Sequence, residues 1–207
     1  MKQITFWFDP ISPFAYLAFE RMPEVLVGCS YAVEYRPVLF AGLLAHWGQK
    51  GPAEIEPKRA WTFRHLAWFA HKHDIEMQTP ATHPFNPLPL LRLALATGPN
   101  RRVAEAVLRH VWRGGADATD PQRIAALTRE LAPVRDPASP EVKAELRQGT
   151  DEAIARGIFG VPTFELDSRL FWGLDALPML RAALLGEAWF DGPAWDATAV
   201  KRPGVVR

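Results

Sequence analysis

Residues 9–18 read Asp9-Pro10-Ile11-Ser12-Pro13-Phe14-Ala15-Tyr16-Leu17-Ala18 and follow directly on the apolar run Ile4–Phe8 (ITFWF). That run is short and rich in β-forming residues, which predicts a buried strand. Pro13 suits the first turn of a helix. Phe14, Leu17, Ala18, Met22, Val25 and Leu26 then recur at the spacing of one buried helical face. The helix is predicted to reach Val27, with a kink or break at Pro23 and a stop at Gly28. Ser12 stands at the break between the two elements. A serine there can cap the free backbone N–H groups of the helix start, and those same groups favour an anion.

Working outward, Ala32–Leu39 (AVEYRPVL) reads as a second strand, which completes a βαβ unit. Residues 41–57 read as a connecting loop, and Arg59–His73 as a helix. The Pro-rich stretch QTPATHPFNPLP (residues 78–89) is expected to be extended. Further helices are predicted over Leu88–Ala96, Arg101–Trp112, Pro121–Leu131 and Pro140–Arg156. Gly157-Ile158-Phe159-Gly160 marks a stop. Thr163–Leu166 and Arg169–Phe171 form a hairpin around Asp167-Ser168, and Leu174–Leu185 is the last helix. The tail from Gly186 has no clear periodicity, and its end, VKRPGVVR, is expected to be loose. Trp61, Trp68 and Phe69 are expected mostly in the core. His71 and His73 diverge on a helix and have no third partner at zinc spacing, so no metal is expected.

The chain has 207 residues, 48% of them hydrophobic and 23% charged, enough for one domain with a proper core. Lys+Arg 24 against Asp+Glu 23 gives +1, so no basic field points to nucleic acid. No apolar stretch is long enough to span a membrane. The start, MKQITFWFDP, lacks the apolar core of a secretion signal, which points to a cytoplasmic protein. Cys29 is the single cysteine. It excludes an internal disulfide or a Cys-x-x-Cys pair, and it is expected to be a small apolar filler.

A βαβ half, a helical block and a ββα half is the thioredoxin order. The expected fold is α/β and thioredoxin-like, a mixed four-stranded sheet with a large all-helical insertion. The division is 1–40 with 157–190 for the thioredoxin-like part, 41–156 for the insertion and 191–207 for the tail. In that fold the reactive site lies where the first strand turns into the first helix. Redox members place two cysteines there, because the helix N-terminus stabilises a thiolate. The four positions here are Ser12-Pro13-Phe14-Ala15, without sulfur, so the protein itself cannot exchange disulfides. A hydroxyl remains, suited to a sulfur anion brought by something else. Gly160-Val161-Pro162-Thr163-Phe164 precedes the third strand. Pro162 is expected to be cis, with the Val161 main chain open to pair with an extended peptide. Phe171-Trp172-Gly173-Leu174-Asp175 is a strand-to-helix turn whose acid can cap a helix or hold an ammonium group.

FDPISPFAYLAFERMPEV (residues 8–25) together with IFGVPTFELDSRLFWGLDALPML (158–180) resembles the 2-hydroxychromene-2-carboxylate isomerase family. That family is related to the kappa-class glutathione transferases and to DsbA-like thioredoxin folds. GPAEIEPKRAWTFRHLAWFAHKH and PFNPLPLLRLALA extend the likeness into the helical block. The resemblance implies glutathione as cofactor and a small conjugated, aromatic-derived acid as substrate, in a homodimer. By position it makes Ser12 the catalytic residue facing the glutathione sulfur. It gives Val161 and Pro162 the cysteinyl unit, and Trp172, Gly173, Leu174 and Asp175 the γ-glutamyl end. Isomerases of this family carry a lysine after the second strand and an Asn beside a Pro in the next loop. Here His46 and Glu54 are the nearest substitutes for those substrate-reading residues, and Glu54 would repel an acid. Two rival readings stay open: a kappa-like glutathione transferase, and a non-catalytic glutathione- or peptide-binding module.

Overall fold

A computed structural model describes residues 1–198. Four strands form one sheet: β1 (Lys2–Phe8), β2 (Tyr31–Pro37), β3 (Thr163–Leu166) and β4 (Arg169–Trp172), in the order β2-β1-β3-β4. β1 and β2 run parallel, while β1–β3 and β3–β4 are antiparallel. β1 is central because its run is apolar on both faces. Ile4, Phe6, Trp7 and Phe8 are all buried, and the Phe6 ring stacks on Phe8 and Phe164 with centroids 5.3 and 5.0 Å apart. This is the thioredoxin-like mixed sheet that the sequence predicts.

Helix α1 (Pro13–Val25) lies across the sheet and ends two residues after Pro23. It buries Ala15, Tyr16 and Phe19 as well as the expected Leu17, Ala18 and Met22, because a second layer of helices covers its outer side. The stretch between β2 and β3 supplies six helices, α2 (Phe40–Trp47), α3 (Glu56–Lys72), α4 (Leu88–Thr97), α5 (Arg101–Trp112), α6 (Pro121–Leu131) and α7 (Pro140–Ala155). Of these α3 and α5 pack on α1, while α2 and α7 pack with Trp7 in a separate cluster. Glu20 on α1 accepts from Arg109 at 2.8 Å and from Arg113 at 3.2 Å, both from the helical block, and Arg113 also reaches the Tyr16 hydroxyl at 3.0 Å. One buried cluster runs from Phe6 and Leu17 through Leu66, Leu90 and Val107 to Trp112, so sheet and helical block share a core. A short 3-10 turn (Leu174–Ala176) leads into α8 (Leu177–Leu184), which closes the fold.

Three sequence expectations need correction. Residues 41–57 are not simply a loop: they contain α2 and a 3-10 turn at Pro52–Glu54. The run FAGLLAHW is apolar almost throughout and so lacks the one-sided polar face that marks a helix, and α2 is stopped by Gly48 at a φ of 62°, a conformation glycine adopts without strain. The tail is not featureless either, since α9 spans Pro193–Thr198, while the segment VKRPGVVR lies outside the described residues. Trp61 and Trp68 are not core: they are 68% and 55% exposed, stacked on either side of His65. α3 turns Leu66 and Ala70 inward, which leaves the Trp61–His65–Trp68 stripe on its outer face. Phe69 is half-buried against the core.

Candidate functional site

The break at 9–12 is a tight turn tied from several directions. The Ser12 N–H donates to the Asp9 carbonyl at 3.0 Å. One carboxylate oxygen of the fully buried Asp9 accepts from Ile11 N–H at 3.0 Å, and the other from Phe40 N–H at 2.9 Å. α2 has no side-chain cap of its own, so Asp9 serves as one from the turn after β1. Burial pushes the Asp9 carboxyl up from 3.8 to about 7 against the pull of those two N–H groups.

Ser12 is buried and caps α1, its Oγ accepting from Ala15 N–H at 3.3 Å. Its own hydroxyl donates to the Val161 carbonyl at 3.1 Å. The Val161–Pro162 bond is cis. No group among the described residues accepts a hydrogen bond from the Val161 N–H. The first turn of α1 carries no acidic side chain, and the one acid in the turn before it, Asp9, also lines the cleft.

Trp172 lies 55% exposed, with its ring 4.9 Å from that of Phe159. A Cβ at residue 160 would meet Trp172 Nε1 at 2.6 Å, so glycine there is what lets the indole lie against the Val161 segment. The Gly173 N–H donates to the Pro162 carbonyl at 2.9 Å, which locks the two loops together. Leu174 is buried, so its side chain belongs to the core. Asp175 is exposed, with its carboxylate over the Gly173 backbone.

A cleft of about 720 Å³ opens beside Ser12, between the turn, α2 with the loop after it, α3 and the 83–87 loop. Phe14, Phe40, Phe63, Phe85 and Trp172 are among its walls, and Lys50, Lys58 and Arg59 also line it. Glu54 lines it too, but the Oε1 of Glu54 turns back to accept from Gly51 N–H at 2.5 Å. His46 is exposed, packs edge-on against Trp47, and is not among the cleft-lining residues. Thus the structure brings Ser12, Val161, Trp172 and Glu54 to one cleft and leaves His46 outside it. Among the described residues no three His, Cys, Asp or Glu side chains cluster as metal ligands.

Sequence reading missed Asp9, His83 and Trp112. Asp9 before a proline at a strand end carries the signature of an Asx turn, and its bond to Ile11 N–H is one. No local signal marks the other two, which reach the turn from the helical block: Trp112 Nε1–H donates to the Pro10 carbonyl at 2.8 Å, and His83 Nε2 lies 2.9 Å from the Ile11 carbonyl.

A profile of the DSBA-like thioredoxin domain matches residues 3–185. A 2-hydroxychromene-2-carboxylate isomerase from Sphingobium xenophagum is 30% identical over 193 residues, covering 89% of this chain and 98% of that protein. The chain belongs to the DsbA-like thioredoxin family, among the 2-hydroxychromene-2-carboxylate isomerases and their kappa-class relatives. Glutathione S-transferase kappa 2 of Caenorhabditis elegans is 28% identical over 216 residues, covering 93% of this chain and 95% of its own. A solved 2-hydroxychromene-2-carboxylate isomerase superposes with a TM-score of 0.79 at 23% identity, over 96% of this chain and all of that one, which speaks for the fold.

Cys29 sits in the turn before β2, where Lys2 N–H donates to the Ser30 carbonyl, at the far end of β1 from Ser12. A seven-residue strand spans about 20 Å, so this thiol cannot reach the cleft. Cys29→Ser is therefore expected to keep turnover within about twofold and melt within ~0.5 kcal/mol of the parent. Paired kinetics and thermal melts check it.

Proposed function

We propose that this protein is a glutathione-dependent isomerase acting on a small conjugated, aromatic-derived acid. The observation that carries it is the Ser12–Val161 pair: a capped helix start with no acid in its first turn, facing a main-chain N–H left without a protein partner. That combination fits an extended peptide carrying a thiol. Val161 offers one donor and one acceptor, as an edge strand does. Bound glutathione would supply a nucleophilic sulfur that adds reversibly to a conjugated double bond, lets it rotate and leaves again, with nothing oxidised.

The chain's residues prepare that sulfur. A free thiol has a pKa of about 8.5 and is mostly protonated at neutral pH. The α1 N-terminus and the Ser12 hydroxyl favour the anion. In the structure Ser12 donates to Val161, so its proton is engaged. A peptide N–H paired to the Val161 carbonyl would replace Ser12 there and free the hydroxyl to turn to the sulfur. Trp172 and Gly173 border the same strand-like slot, with Asp175 an acceptor for an ammonium group beyond it. The aromatic walls suit a flat second substrate, and Lys50, Lys58 and Arg59 suit its acid group. His46, which lies away from the cleft, has no part in this reading.

Glu54 holds its own turn through Gly51 rather than reading substrate. Glu54→Asn is therefore expected to change KM for an acidic aromatic substrate by less than about threefold, and to cost ~1 kcal/mol of stability through the lost cap. A tenfold gain in kcat/KM would show that Glu54 repels the substrate instead.

A kappa-like transferase shares the same thiolate chemistry, and the kappa-class relative favours keeping it as the second reading. Free-thiol counting during turnover separates the two. An isomerase leaves the thiol count constant over many turnovers of hydroxychromene carboxylate, and a transferase consumes one thiol per product. Glutathione bound without turnover of any conjugated electrophile would reject both.

A further inference from the structure

We infer that His83, in the loop before α4, is a positioning residue for the turn that carries Ser12. The Pro10 and Ile11 carbonyls are met by the helical block, from Trp112 Nε1–H at 2.8 Å and from the His83 ring at 2.9 Å. A carbonyl only accepts, so His83 donates from Nε2 and its ring is the Nε2–H tautomer. Nδ1 is buried and has no partner among the described residues. The ring is enclosed by Phe63, Phe85 and Trp112, with centroids 5.3, 6.1 and 5.6 Å away. Nothing there welcomes a second proton. His83 is also anchored through its own carbonyl, which accepts from Arg59 Nη2 at 2.7 Å.

The Ile11 carbonyl and the Ser12 N–H belong to one rigid peptide plane. His83 holds one edge of that plane, and the Asp9 carbonyl holds the other through Ser12 N–H at 3.0 Å. With both edges held, the backbone of Ser12 is set at φ −85° and ψ 116°, and Oγ is aimed at Val161. His83 thus acts on Ser12 through the Ile11 carbonyl while its ring also borders the cleft, and the insertion is what aims the reactive hydroxyl. The kinetic part of the test rests on the glutathione reading above, and the spectroscopic part does not.

The experiment compares the parent with His83→Gln, whose amide can still donate to Ile11, and with His83→Leu, which cannot. Ring ¹⁵N spectra of the parent should show the Nε2–H tautomer, and an Nδ1–H ring would overturn the inference. Amide exchange at Ser12 should quicken about tenfold in His83→Leu and stay within about threefold in His83→Gln, the scale of one lost hydrogen bond. Glutathione-dependent kcat should fall about tenfold in His83→Leu, with KM for glutathione moving less than about threefold, and His83→Gln should restore it. Thermal melts confirm that each variant is folded. A folded His83→Leu that matches the parent in exchange and kcat, or a folded His83→Gln as impaired as His83→Leu, would overturn the positioning role. A parent with no glutathione-dependent turnover would reject the functional reading, and the tautomer and exchange data alone would then decide on His83.

Discussion

Ser12→Ala is expected to keep the fold and to lower glutathione-dependent turnover about ten- to a hundredfold. A hydrogen bond to a charged group contributes about 1.5–3 kcal/mol, and each 1.4 kcal/mol is tenfold. Alanine also removes the cap on Ala15 N–H and the donor to the Val161 carbonyl. Those losses should cost ~1–2 kcal/mol of stability, which a melt measures separately from kinetics on folded protein. If Ser12 were only a cap, the variant would melt lower and turn over as fast as the parent. The two roles therefore separate in one pair of measurements.

The other large effect concerns Asp9. Its folded pKa of about 7 lies above its ordinary 3.8, so over that window the folded protein holds a proton that the unfolded chain has released. Stability from this group is full at acid pH and is lost as pH rises through the folded value. Between about pH 5 and pH 8 the loss amounts to ~2–3 kcal/mol. Asp9→Asn does not titrate, so its stability relative to the parent should improve by about that amount across the same range. At the acid end Asn should be close to Asp, because protonated Asp9 and Asn each keep one carbonyl oxygen for the N–H groups of Ile11 and Phe40. Denaturant unfolding of both proteins at the two pH values checks it. A constant difference between them would mean that Asp9 titrates at its ordinary value.

The sheet and most helices were legible because each carries a local signal. Arg101–Trp112 and Pro121–Leu131 match their predicted bounds, since Asn100 and Asp120 cap them and strongly amphipathic faces fill them. Thr163–Leu166 matches for a similar reason, a short apolar strand bounded by Pro162 and the Asp167-Ser168 turn. Helix α2 was hidden because its cap is Asp9, thirty-one residues away, and no local pattern encodes it. The outward Trp61–Trp68 stripe misled because large aromatic rings at helical spacing ordinarily mark a core. At the site, Ser12, Val161 and Trp172 were visible as motif positions, while the His83 and Trp112 contacts exist only once the insertion packs on the turn. For His46 and Glu54 the sequence offers only position relative to the family pattern, with no local signal of orientation. The structure puts one outside the cleft and gives the other a backbone partner.

On the proposed function, the Ser12 turn holds a glutathione thiolate. The most direct measurement is a glutathione titration at neutral pH, followed by the thiolate absorbance near 240 nm and repeated across pH to give the pKa of the bound thiol. Saturable binding is expected, with a thiol pKa well below the free value of about 8.5 in the parent and close to that value in Ser12→Ala. Failure to bind glutathione at millimolar concentration, or a bound thiol that titrates like the free one in the parent, would contradict it.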